Sequence, residues 1–231
     1  VHTTNGQANS GGSLRVAAIG GGSATLSSGG AQLLQIDYPE LMQANRNGSI
    51  TVGSAGATGI SLISAVNQDV FARSITVLGG SIAGANSKIG VSGVQSISLV
   101  SSTATPNASL TVAGGAGGTA LIDPLIQTIL SNGPISVVGG SGLDTVGGII
   151  GTGDQTILVT SGGVDSIVVQ GGSGDNAFGE IITSGAIQRI GTSEEFVLIA
   201  GSGINADAII GANGGTAETF IACGSGFTCD A

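Results

Sequence analysis

Tryptophan is absent from the 231 residues, tyrosine and methionine occur once each, proline four times, and histidine only as His2. With one histidine, a histidine-built metal centre is excluded, and no nucleophile with an adjacent base is visible anywhere along the chain. The adjacent carboxylates Glu194 and Glu195 would face opposite sides of a strand rather than flank a substrate. An enzyme is therefore not expected. The scarcity of aromatic rings leaves little surface for stacking sugars. Charge is scarce as well: 8% of residues carry one, against roughly 25% in ordinary globular chains. Uninterrupted apolar runs of about 18 residues are missing, so no membrane-spanning helix is expected. No basic-then-apolar leader is seen, and a chain that starts at Val1 is expected to have shed an export signal.

Glycine, by contrast, is abundant, with 44 residues. It comes in pairs rather than at every third position, which excludes collagen. Leu, Ile, Val and Phe together number 64, too many for a disordered chain. Fourteen acids against five bases give a net charge of −9, which repels phosphate backbones and argues against nucleic-acid binding. The charge is uneven. Residues 1–100 hold Arg15, Arg46, Arg73 and Lys88 against Asp37, Glu40 and Asp69, a net of +1, whereas residues 101–231 hold Arg189 against eleven acids, a net of −10.

The abundant residues are arranged in a repeat. An apolar strand followed by a small-residue turn starts at Ser49 (SITVGSAGA), Ser74 (SITVLGGSIAGA), Ser109 (SLTVAGGAGGT), Pro134 (PISVVGGSGLD), Ser166 (SIVVQGGSGDN), Phe196 (FVLIAGSGIN) and Phe220 (FIACGSGFT), with Ser23 (SATLSSGG) as a degenerate eighth copy. The mean spacing is 28.5 residues. Two further strand series accompany it: QLLQI (32–36), GISLI (59–63), SKIGV (87–91), TALI (119–122), GGII (147–150), GEII (179–182) and DAII (207–210), and then QSISLV (95–100), IQTIL (126–130), QTILVT (155–160) and IQRI (187–190). Three short strands per repeat predict an all-β, parallel β-helix of about seven coils. Such a coil cannot bury its inner face alone and must stack on its neighbours. Period-2 alternation predicts Ile157, Val159, Ile167 and Val169 inward, with Thr156 and Ser166 outward. Residues 1–12 stand outside the pattern and read as a flexible arm, followed by one β-helix domain over 13–231. Outward bulges are expected at Tyr38–Leu41, Ser102–Asn107 and Ser161–Asp165.

Glycine pairs at 114–115, 139–140 and 171–172 are expected to supply positive φ and to let turns stack closely. Four residues after each pair or its equivalent come Thr119, Asp144, Asn176, Asn205 and Thr228, which would form a polar column at one corner. The segments GGSGLDTVG (139–147) and GGSGDNAFG (171–179) fit a calcium-binding nonapeptide pattern. Roll-type sites need tandem copies every nine residues, and these lie 32 apart. A glycine turn with a polar corner is the competing reading, with looser calcium bridging by Asp144 and Asp175 as the metal alternative; no other cofactor is indicated. Regular Thr-x-Thr ladders are absent. Cys223 and Cys229, six apart with glycines between them, predict a local disulfide pinning the last coil.

The stretch Gly153–Ile181 (GDQTILVTSGGVDSIVVQGGSGDNAFGEI), with VQSISLV and SLTVAGGAGG earlier, resembles the β-helix repeats of filamentous-haemagglutinin-like, two-partner-secreted bacterial surface proteins. The resemblance implies a right-handed parallel β-helix displayed outside the cell, with roles in adhesion and biofilm. Bare β-helix ends are templates for another chain, so the leading expectation is an extracellular filament subunit. It would form a homopolymer by head-to-tail self-association, with the arm at Val1, His2, Thr3, Thr4 and Asn5 donated as a strand to the neighbour. The competing expectation is a surface adhesin that binds glycans or surfaces through one β-helix face.

Overall fold

A computed structural model of the chain describes residues 2–3, 12–36, 48–100, 108–160, 167–185, 187–193, 195–213 and 218–222. Every element in these segments is a strand. A two-residue strand, β1 (His2–Thr3), precedes the repeats. The first repeat holds β2 (Ser13–Val16), β3 (Ser23–Ser27) and β4 (Ala31–Ile36), and the second β5 (Ser49–Gly53), β6 (Ile60–Ala65) and β7 (Asn67–Ala72). In the third and fourth repeats two strands fuse, giving β8 (Ser74–Leu78) with β9 (Ser87–Leu99), and β10 (Ser109–Ala113) with β11 (Ala120–Ser131). The fifth holds β12 (Ile135–Val138), β13 (Val146–Gly151) and β14 (Gln155–Val159), the sixth β15 (Ile167–Gln170), β16 (Phe178–Thr183) and β17 (Ile187–Thr192). The seventh ends the described chain with β18 (Phe196–Ile199), β19 (Ala208–Ala212) and β20 (Glu218–Ala222).

Each strand pairs in parallel with its equivalent one repeat on, so the strands sort into three columns. The first is a seven-stranded sheet running from β2 through β5, β8, β10, β12 and β15 to β18. The second comprises β3, β6, the first halves of β9 and β11, β13, β16 and β19. The third comprises β1, β4, β7, the second halves of β9 and β11, β14, β17 and β20. The second and third form one 13-stranded sheet because β9 and β11 pair in both. The chain is thus all-β with parallel sheets, a pattern consistent with a β-solenoid.

Register follows from alternation. In the first column Ile50, Ile75, Leu110, Ile135 and Ile167 lie in line and lead to Phe196, with Val52, Val77, Val112, Val137 and Val169 beside them, all buried. The second column lines up Ile63, Ile89, Ile122, Ile149 and Ile181; the third lines up Leu34, Val70, Ile97, Ile129, Ile157 and Ile190. These side chains form one core cluster. Each contributes about 1.5–3 kcal/mol on burial, and a one-residue slip would turn a whole strand inside out. Ile157, Val159, Ile167 and Val169 are inward as expected, and Thr156 is half-buried; Ser166 lies outside the described residues.

Three assignments differ from the sequence reading. Phe220–Ala222 belongs to β20, which pairs with β17 in the third column and so does not continue the series begun at Ser49. Ser23–Ser27 pairs with β6 in the second column, and the true first member of the first column is Ser13–Val16. The segment 32–36 lies in the third column rather than the second. An apolar strand followed by glycine occurs in more than one column, so that motif alone does not identify the column. The three expected bulges lie outside the described residues.

Candidate functional site: polar columns and open strand edges

At the turn between the first and second columns, Asp144, Asn176 and Asn205 adopt φ values of 55, 52 and 54°. Asn and Asp tolerate this left-handed conformation because a short polar side chain can bond locally. Asn176 Nδ2 donates to Asp144 Oδ1 at 2.9 Å, and Asn205 Nδ2 donates to Asn176 Oδ1 at 3.3 Å. The expected corner column therefore exists over three successive repeats. Thr119 is not in it. Its turn closes after three residues, by Gly115 N–H to Gly118 O, whereas the equivalent turns of the third, sixth and seventh repeats close after five, by Gly80 to Ala85, Gly172 to Ala177 and Gly201 to Ala206. Thr119 N–H instead donates to Asn86 Oδ1 at 2.9 Å. Thr228 lies outside the described residues, as do Val1, Thr4, Asn5, Cys223 and Cys229.

The glycine pairs do only one of their two expected jobs. Among the described residues positive φ at glycine occurs at Gly20, Gly53 and Gly84, not at the pairs. What the pairs provide is closeness: a Cβ on Gly172 would lie 2.0 Å from Gly140 O, and one on Gly201 2.0 Å from Gly172 O.

The carboxylates of Asp144 and Asp175 take part in hydrogen bonds between successive turns. Asp144 Oδ1 accepts from Asn176, and Asp175 Oδ1 accepts from Ile204 N–H at 2.9 Å. Among the described residues no three His, Cys, Asp or Glu side chains group as metal ligands.

A second polar column, outside the sequence expectations, is buried. Gln68 Nε2 donates to Gln32 Oε1 (2.7 Å), Gln95 to Gln68 (2.8 Å), Gln127 to Gln95 (2.9 Å), Gln155 to Gln127 (3.0 Å) and Gln188 to Gln155 (2.8 Å). Gln68, Gln95, Gln127, Gln155 and Gln188 are at most 2% exposed. Gln188 Nε2 also donates to Ile181 O at 3.1 Å, spending its second proton. The ladder crosses six repeats and holds their register by side-chain amides as well as backbone. Its signal stands in the sequence: a Gln in the third-column segment of each of the first six repeats, at Gln32, Gln68, Gln95, Gln127, Gln155 and Gln188.

Outside the core, the first column carries Ser49–Ser74–Ser109 and Thr51–Thr76–Thr111–Ser136 in register, a grid of half-buried hydroxyls spaced about 4.8 Å across strands and about 6.7 Å along them. It is a Ser-x-Thr grid rather than the Thr-x-Thr ladder whose absence the sequence shows. On the second column, Lys88 donates to Asp123, a part-exposed ion pair bordering an open groove of about 650 Å³ with Leu62, Val66, Pro124 and Leu125. Glu180 lies in register with Gly148 and Ile209, and burial pushes its carboxyl above the ordinary value.

Five edge strands at the two ends of the columns are paired on one side alone. Among the described residues β2 and β3 have partners on one side only, as do β18, β19 and β20. The third edge at the first end is covered: β1 pairs with β4, His2 against Gln35 and Thr3 against Ile36. Two residues expected to lie in a free arm are thus part of the chain's own sheet. No helix among the described residues is long and apolar enough to cross a membrane. No family model, curated protein or solved structure matches the chain.

Proposed function

We propose that this chain is a non-enzymatic structural subunit of an extracellular filament or biofilm fibre, a right-handed parallel β-helix that assembles head-to-tail through its open ends. Right-handedness is the normal sense for crossovers between parallel strands. The observation that carries the reading is the set of edges left without a partner among the described residues: β2 and β3 at one end and β18, β19 and β20 at the other, with the buried Ile and Val ladders running toward both. Open edges of parallel sheets recruit further strands, and a head-to-tail contact between unlike ends does not close on itself. Charge adds to the pairing, since the net +1 of residues 1–100 would meet the net −10 of residues 101–231. Size-exclusion chromatography with light scattering and negative-stain electron microscopy of the purified chain test the proposal. Unbranched fibres one molecule wide are expected, and a monomer at all concentrations overturns it.

A second reading, a surface adhesin, is favoured by the hydroxyl grid on the first column. A flat, regular array of Ser and Thr suits a glycan or another repeating polar surface. Replacing Thr51, Thr76 and Thr111 with Val leaves fibre growth intact under the first reading and abolishes binding to a glycan array under the second.

A further inference from the structure

We infer that β1 is a removable cover on the third-column edge, and that a second copy of the chain must displace it to add at that end. The inference rests on the head-to-tail reading above and deepens it by naming the strands exchanged. Register can be followed without a break along the third column: Gln35 pairs with Phe71, Phe71 with Ser98, Ser98 with Leu130, Leu130 with Leu158, Leu158 with Gly191, and Gly191 with Ala222. A second copy continuing this stack would lay its β20 along β4, with Ala222 of the second copy opposite Gln35. That place is held by His2. The neighbouring edges, β2 and β3, have no such occupant among the described residues, so they can receive the second copy's β18 and β19 directly.

The contest is unequal. β1 pairs over two residues, whereas β20 pairs over five with β17 and would find a six-residue β4 along which to pair. Docking on β2 and β3 would bring β20 alongside, and exchange could proceed from the Ala31 end of β4, which β1 leaves bare. β1 therefore sets the rate of addition at this end and shields the edge until a second copy arrives.

The test compares three forms of the full chain: wild type, a variant lacking residues 1–5, and the double variant His2→Cys with Gln35→Cys. In-register partners lie within disulfide reach, and mass spectrometry verifies the cross-link. Elongation from sonicated wild-type seeds is followed by light scattering and by fibre length. The deletion is expected to elongate several-fold faster than wild type, and the oxidised lock to fall to background and recover on reduction. Elongation of the oxidised lock at the wild-type rate overturns the cover and leaves head-to-tail growth standing. Failure of the deletion variant and wild type alike to elongate overturns both.

Discussion

Two polar columns run along this molecule, and they tolerate interruption differently. The Gln ladder crosses six repeats without a gap, while the Asp144–Asn176–Asn205 column covers three and stops where the Gly115–Gly118 turn is two residues shorter. The difference is access to water. An amide at the Gln95 or Gln127 position has nothing but its neighbours to bond, so each missing rung strands a donor and an acceptor. At the corner, solvent takes over wherever a side chain is absent, so turn length there is free to vary.

Breaking the buried column should therefore cost most. Gln127→Leu removes the donor to Gln95 Oε1 and the acceptor for Gln155 Nε2; a loss of about 2–5 kcal/mol is expected in urea unfolding, and a change below 1 kcal/mol would deny the ladder its role. At the corner, Asn176→Ala places a Cβ-bearing residue without a local side-chain bond in the left-handed region, for about 1–2 kcal/mol. Asn176→Gly separates conformation from hydrogen bonding and should restore most of that loss. The half-buried first member gives the contrast within one column: Gln32→Leu leaves only the Gln68 Nε2 donor unserved, where Gln127→Leu strands a donor and an acceptor, and should cost about 1–2 kcal/mol.

Glu180 lies between the two regimes, half-buried and charged. Its carboxyl is raised by burial, so the folded state holds its proton more tightly than the unfolded state. Stability from this group is highest below the unfolded carboxyl value and falls as pH rises through the folded one. Glu180→Gln is accordingly expected to raise the melting temperature slightly at neutral pH, with the gain fading in acid. An unchanged difference across the titration would remove the buried-carboxyl account.

The repeat was legible because parallel stacking demands branched apolar residues at every second position, and six of the seven motif starts, from Ser49 to Phe196, mark the first column. FIAC followed by glycine (220–224) shows the same sequence alternation as the first-column motif, although Phe220 lies in a third-column strand. The polar marker that separates the columns, Gln68, Gln95, Gln127, Gln155 and Gln188, is indistinguishable from ordinary strand residues within any one repeat. A buried amide column becomes visible only when register aligns residues about 30 apart. Thr119 shows the converse failure: counting from a glycine pair assumes equal turns, and its turn is shorter. The left-handed backbone fell to Asp144, Asn176 and Asn205 rather than to the glycine pairs, because stacked carbonyls about 2 Å from any added Cβ already claim those glycines.

The fusion of strands in β9 and β11 has a consequence for how the molecule comes apart. Among the described residues, one strand carries backbone pairing from the second column into the third in the third and fourth repeats alone, so opening there must release both at once. Amide protons of Ser87–Leu99 and Ala120–Ser131 should be the slowest to exchange with heavy water. Loss of structure then proceeds as a fraying from either terminus toward a persistent middle, the behaviour of a one-dimensional stack with its strongest coupling at the centre.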